Sequence, residues 1–234
     1  MACITAYTVQ STQGVRRVSD PNPDIVIETL DCLAADVCFS AIKVGMLGNA
    51  PVARAVAGWL VQRPEISVVL DPVLKSSSGK DLLDSAGLEV LRSSWLARAH
   101  WITPNREELA ALTARPIPKV AEETEEAAQC LQQMAERQGN SGIRIVVTGG
   151  DAKVPTALLL ADKKCRWFLG EHIETNSTHG TGCTFSSALA ARLALGDEPT
   201  MAVQTAKGFV AGALQHAYPV GRGKGPVNHF WKKT

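Results

Sequence analysis

The feature that most constrains the fold is a run such as Ser67-Val68-Val69-Leu70, which is short and carries apolar β-formers with no polar break. A strand that faces water on one side alternates apolar and polar residues. A strand that is apolar at successive positions needs cover on both faces. Residues 144–147 and 157–160 read the same way, and residues 2–9, 41–44, 100–102 and 165–168 are further strand candidates. Between them the apolar period becomes helical. Val26, Leu30, Leu33 and Val37 follow Pro23-Asp24, and Val52, Val56, Trp59 and Leu60 follow Pro51. Leu88, Leu91 and Trp95 repeat the pattern, Ala127, Leu131 and Met134 continue it up to Gly139, and residues 183–195 and 201–218 form the last two helices. Such alternation predicts an α/β fold, a mostly parallel sheet flanked by helices on both faces. Residues 157–160 and 165–168, joined by Asp162-Lys163-Lys164, read as a small antiparallel hairpin appended to it. With no repeat or long linker, residues 1–234 read as a single domain.

Composition narrows the function classes. Lys plus Arg number 24 against 23 Asp plus Glu, so there is no global basic footprint for nucleic acid. No apolar run reaches the roughly 18 residues of a spanning helix; the best, around Leu189 to Leu195, is broken by Arg192. The start, Met1-Ala2-Cys3-Ile4, has no basic region or cleavage site, which reads as a cytoplasmic protein. The six cysteines make no C-x-x-C pair, so they read as reduced thiols, mostly small buried hydrophobes, and a structural zinc site is not expected.

Chemistry in open α/β sheets gathers at the carboxyl ends of the strands, and four segments there carry suitable residues. Thr178-His179-Gly180-Thr181-Gly182-Cys183-Thr184 runs directly into an apolar helix. It fits neither a Walker A loop nor G-x-G-x-x-G, but its glycines let backbone approach an anion and the free N–H groups of the helix start point at it. Cys183 in the first turn lies where the helix field favours a thiolate. A plain glycine turn with Cys183 as packing is the competing reading. Asp71, in Val69-Leu70-Asp71-Pro72-Val73, ends a buried strand, or simply makes an Asp-Pro turn. In Thr103-Pro104-Asn105-Arg106-Glu107-Glu108, Asn105 and Glu108 have the spacing of a helix cap. Asp71 and Glu108 together would also supply the hard oxygens that Mg²⁺ takes, usually through water. Finally, Thr148-Gly149-Gly150-Asp151 could flank a nucleotide or merely turn the chain. An anion cradle beside two carboxylates and a potential base describes phosphoryl transfer by positioning and electrostatics.

In order, Gln10-Ser11-Thr12-Gln13-Gly14-Val15, Lys43-Val44-Gly45-Met46-Leu47, Asp71-Pro72-Val73, Thr103-Pro104-Asn105 with Glu108, and Thr178-His179-Gly180-Thr181-Gly182-Cys183 resemble the bacterial hydroxymethylpyrimidine/phosphomethylpyrimidine kinases of thiamine biosynthesis. The tail Gly221-Arg222-Gly223-Lys224-Gly225-Pro226-Val227-Asn228-His229 extends the match over essentially the whole chain. The resemblance implies a ribokinase-like fold and phosphorylation, by ATP with Mg²⁺, of 4-amino-5-hydroxymethyl-2-methylpyrimidine and then of its monophosphate. It implies that Gln10 hydrogen-bonds the aminopyrimidine edge while Gly45, Met46 and Val73 wall the ring. Asp71 and Glu108 would hold Mg²⁺. Asn105, Thr148 and Gly150 would meet the nucleotide, with Thr148 standing where many relatives have Lys. Backbone from Gly180 through Thr181 and Gly182 to Cys183 would form the anion hole, with Cys183 the base. His179 and His229 read as turn and tail residues. A homodimer is implied too. Relatives begin with a strand, a Ser/Gly-rich turn and a helix ahead of the segment that matches residues 1–6. That implies an upstream unit encoded in frame, and a chain that is unstable or weakly active without it. A pyridoxal-type kinase, which would not need Gln10, and a non-catalytic ligand-binding remnant are the alternatives.

Overall fold

The computed structural model describes residues 1–149 and 156–233. Six strands form the main sheet: β3 (Ala41–Val44), β4 (Ser67–Leu70), β5 (Trp101–Ile102), β6 (Arg144–Thr148), β7 (Thr156–Ala161) and β8 (Lys164–Leu169), side by side in that order. The first four are mutually parallel, and β7 and β8 are antiparallel additions at one edge. The hairpin expected over residues 157–160 and 165–168 is present and extends the main sheet at that edge. Its backbone groups complete the ladder that β6 would otherwise leave open.

The continuous apolar runs are explained by their alternation between two cores. Val68, Leu70, Ile102, Ile145, Val147, Leu158 and Leu160 face one, and Val69, Trp101, Val146, Ala157 and Leu159 face the other. Each fully buried Val or Leu contributes roughly 1.5–3 kcal/mol. The first core is covered by α1 (Pro23–Asp36), α2 (Ala50–Val61), α3 (Ser85–Val90) and α6 (Ala121–Glu136). The second is covered by α7 (Thr181–Ala194) and α8 (Pro199–Gln215) through Phe185, Leu189, Ala202, Val203 and Ala206. The helix expected through Leu88, Leu91 and Trp95 is interrupted. A π-helical turn at Leu91–Trp95 separates α3 from α4 (Leu96–Arg98), and buried Trp95 donates its indole N–H to the Ala53 carbonyl at 3.2 Å.

Outside this body lies a two-stranded antiparallel sheet of β1 (Tyr7–Ser11) and β2 (Gly14–Ser19). The strand expected over residues 2–9 is thus displaced, since residues 1–6 carry no strand, and β2 was not expected at all. Every β1 residue is exposed and β2 is only partly covered, so neither shows the burial pattern that reveals a strand. None of the six free cysteines is fully buried either, contrary to expectation. Among the described residues no helix is long and apolar enough to cross a membrane.

Candidate active site

The carboxyl ends of β3 and β4 meet the start of α7, and the chemistry-bearing residues converge there. Asp71 follows β4 directly, its N–H bonded to the Val44 carbonyl at 2.8 Å, which fixes its side chain at the strand end. It is 5% exposed. Lys43 Nζ lies 3.2 Å from Asp71 Oδ2, and the buried Ser186 hydroxyl donates to the same oxygen at 2.9 Å. Ser186 also lies 3.1 Å from the Cys183 carbonyl, so the second turn of α7 is tied to Asp71. Neither Lys43 nor Ser186 stood out as a site residue in the sequence. The signal for Ser186 was its place three residues after Cys183, one helical turn on.

Cys183 is the third residue of α7, exposed at the mouth of the site, with protein crowding its sulfur from within. Partial removal from water, then the Asp71 carboxylate beside it, push its thiol up to about 11; Lys43 opposes, while the hydrogen bond to Asp71 and the more distant Glu108 reinforce the rise. The thiolate expected from the helix start alone is therefore corrected: without further positive charge, Cys183 is a thiol at neutral pH. The helix field is real but weak beside a carboxylate in contact.

The Gly180 N-cap has φ 88°, where a side chain is strained, and no side chain caps α7. A Cβ on Gly180 or Gly182 would meet nothing within 4 Å, so the backbone is uncrowded at both glycines, and the N–H groups of Thr181, Gly182 and Cys183 in the first turn have no partner within the helix, as an anion cradle requires. The loop is held from behind. His179 exchanges backbone bonds with Gly225 and Val227, and Thr184 Oγ1 lies 3.0 Å from His229 Nε2, which docks the glycine-rich tail onto the first turn of α7.

Glu108 does form the helix cap. Its Oε2 accepts from the Asn105 N–H at 2.8 Å and Asn105 Oδ1 accepts from the Glu108 N–H at 2.9 Å, starting α5 (Arg106–Thr113). Burial raises its carboxyl to about 8, partly offset by the Asn105 N–H, with Asp71 adding to the rise and the Leu74 N–H opposing it. Two buried carboxyls that repel each other, one already pushed towards its neutral form, fit a hard divalent cation held largely through water. Among the described residues no cluster of three or more His, Cys, Asp or Glu forms a metal cage.

Asn105 and Thr148 are bridged backbone to backbone at neighbouring strand ends, with the Thr148 N–H on the Pro104 carbonyl at 2.9 Å. Gly149 is packed so closely on Thr156 that a Cβ would collide with its backbone. Gly150 and Asp151 lie outside the described residues. Gly45 and Met46, half-buried, follow β3, and half-buried Val73 follows Asp71. Met46 belongs to neither core cluster, and its carbonyl accepts from Thr5 Oγ1 at 2.6 Å. Gln10 comes from β1, and its amide nitrogen lies 3.1 Å from His179 Nε2. The two residues share a cavity of about 230 Å³ with Thr12, Ser76, Ser78 and Lys224.

Comparison with known proteins agrees with this arrangement. A family model described as phosphomethylpyrimidine kinase matches residues 1–228. A hydroxymethylpyrimidine/phosphomethylpyrimidine kinase of Staphylococcus aureus strain MRSA252 is 34% identical over 233 residues, 98% of this chain and 82% of that one. Among solved structures, an ADP complex of Bacillus subtilis pyridoxal kinase superposes with a TM-score of 0.87 at 26% identity, over 100% of this chain and 87% of the other. A phosphomethylpyrimidine kinase from Clostridium difficile 630 does so with a TM-score of 0.76 at 29% identity, over 91% and 85%. The fold class expected from the strand and helix pattern is thereby borne out.

Proposed function

Because this chain belongs to the phosphomethylpyrimidine kinase family, we propose that its site transfers the terminal phosphoryl group of ATP to 4-amino-5-hydroxymethyl-2-methylpyrimidine and then to the monophosphate, in the thiamine pathway of the cytoplasm. The observation that carries the reading is the open first turn of α7 with Cys183 against Asp71. The helix start that offers the cradle also carries Cys183, and Ser186 one turn on ties that helix to the Asp71 carboxylate.

The transferred group sits on the N–H groups from Thr181 to Cys183, which stabilise charge on its equatorial oxygens and need no reorganisation to do so. Asp71 and Glu108 would hold Mg²⁺, which when bound would supply positive charge to offset that of the phosphates. Lys43 and Ser186 keep Asp71 aimed, and the fraction of Cys183 that is ionised, which Lys43 favours and which grows with pH, takes the proton of the attacking hydroxyl. In the second phosphorylation the acceptor is already an oxyanion, and only the cradle and the charge balance are needed. Gln10 reads the amino edge of the ring, with Gly45, Met46 and Val73 against its face. Asn105 and Thr148 stand on the nucleotide side, and Gly150 continues that segment. The chain works as a single kinase domain, paired as a homodimer.

Likeness in shape to a pyridoxal kinase favours one other acceptor. Steady-state rates with ATP and Mg²⁺ on the hydroxymethylpyrimidine, its monophosphate and pyridoxal decide between them. The expected result is a higher kcat/KM for both pyrimidines. Preference for pyridoxal, or no turnover of the pyrimidines, would overturn the reading.

A further inference from the structure

Gln10 reaches the site through two features of the fold. The β1–β2 register slips between Val9 and Gln10, since Val9 pairs with Arg17 but Gln10 with Val15, and a bulge of this kind re-aims the side chain beside it. The re-aimed amide then makes two contacts. Its Oε1 accepts from Thr8 Oγ1 at 3.3 Å, and its Nε2 lies 3.1 Å from His179 Nε2.

A primary amide has nearly the same shape either way round, and only its partners decide which end is which. Thr8 decides nothing, because a hydroxyl donates or accepts as required. His179 does decide. An amide nitrogen has only donors, so a nitrogen-to-nitrogen contact is a hydrogen bond only when the ring nitrogen accepts, which places the ring proton on Nδ1. The opposite tautomer would demand the flipped amide. Tautomer and amide orientation are thus locked together. His179 itself is held by main-chain bonds to Gly225 and Val227, one residue before the Gly180 cap.

We propose that His179 is a positioning residue that fixes the orientation of the Gln10 amide and so the donor–acceptor edge this site selects. This rests on the proposed role of Gln10. Each end of the amide has one hydrogen-bond position taken by the protein and one left. What remains is a carbonyl beside an N–H, the complement of an exocyclic amine next to a ring nitrogen. Reversed, the amide sets donor against donor and acceptor against acceptor. The motif thereby couples ring recognition to the anion cradle through a single loop.

The test is a double-mutant cycle on the full chain with the hydroxymethylpyrimidine and ATP. His179→Leu should raise KM by roughly 3- to 10-fold, with kcat within about twofold. His179→Gln, whose side-chain oxygen can accept but whose amide can also turn, should restore part of the loss. Gln10→Leu with His179→Leu should be no worse than Gln10→Leu alone, because His179 acts through Gln10. Additive effects, a fall in kcat at constant KM, or no rescue by Gln would overturn the proposal. ¹⁵N NMR of histidine-labelled protein, with His179 assigned from the His179→Gln spectrum, reads the pairing without turnover. The expected result is an unprotonated Nε2 that changes in Gln10→Leu. A protonated Nε2, or no change, would refute the pairing even if the pyrimidine is a good substrate. Absence of pyrimidine turnover in the unaltered chain alongside the expected spectrum would instead refute the assigned substrate.

Discussion

Glu108 gives a stability measurement that tests the electrostatics of the site without any substrate. The residue is 8% exposed and its carboxyl is raised by burial from 4.5 to about 8, so the fold prefers the neutral acid. The unfolded chain ionises near 4.5. The cost of the charge is therefore absent below that pH, grows as pH rises, and is complete above about 8. From 4.5 to about 8 at 1.36 kcal/mol per pH unit, that cost is at most about 5 kcal/mol. Relaxation around the buried charge brings the expected range to about 2–4 kcal/mol. Glu108→Gln removes the charge but keeps a side-chain oxygen to accept the Asn105 N–H, so the cap survives. Urea unfolding followed by circular dichroism, without divalent cation, should find the variant more stable by that amount near pH 9. Near pH 5 it should gain less than about 1 kcal/mol. Phosphoryl transfer should fall by about tenfold or more, because a neutral amide is a poor ligand for a hard cation. A stability difference independent of pH, or a variant less stable near pH 9, would refute the reasoning.

Cys183→Ala should slow phosphorylation of the hydroxymethylpyrimidine by about 10²- to 10⁴-fold while leaving phosphorylation of the monophosphate within about threefold, measured as separate single-turnover rates. In the unaltered chain the first step should quicken as pH rises towards about 11, where the thiol ionises, and the second should not. Lys43→Met removes the cation 3.2 Å from Asp71 and should cost about 1–3 kcal/mol in urea unfolding, part of it recovered on adding Mg²⁺. No loss, or no recovery, would show that Lys43 does not balance the acids.

The sheet was legible because its strands are covered on both faces, and Val68, Val69 and Leu70 send alternate side chains into two separate cores. β2 was illegible for the opposite reason, since a mostly exposed strand leaves no apolar pattern. The site was legible where one segment carries its own geometry, as in the glycine cradle of α7 and the cap at Asn105 and Glu108. It was illegible where partners are far apart in the chain. Ser186 and Asp71 are separated by 115 positions, Gln10 and His179 by 169, and no local spacing announces either contact. The thiolate reading of Cys183 failed on the same ground, because a first-turn position says nothing about the carboxylate that folding brings beside it.

The central claim is that one cradle phosphorylates first an alcohol and then the phosphate it has just made. ³¹P NMR of the hydroxymethylpyrimidine with excess ATP, Mg²⁺ and the protein measures this directly. The account predicts a monophosphate signal that rises and then gives way to the two coupled signals of a diphosphate. A monophosphate that accumulates with no diphosphate, or ATP left unconsumed, would contradict it.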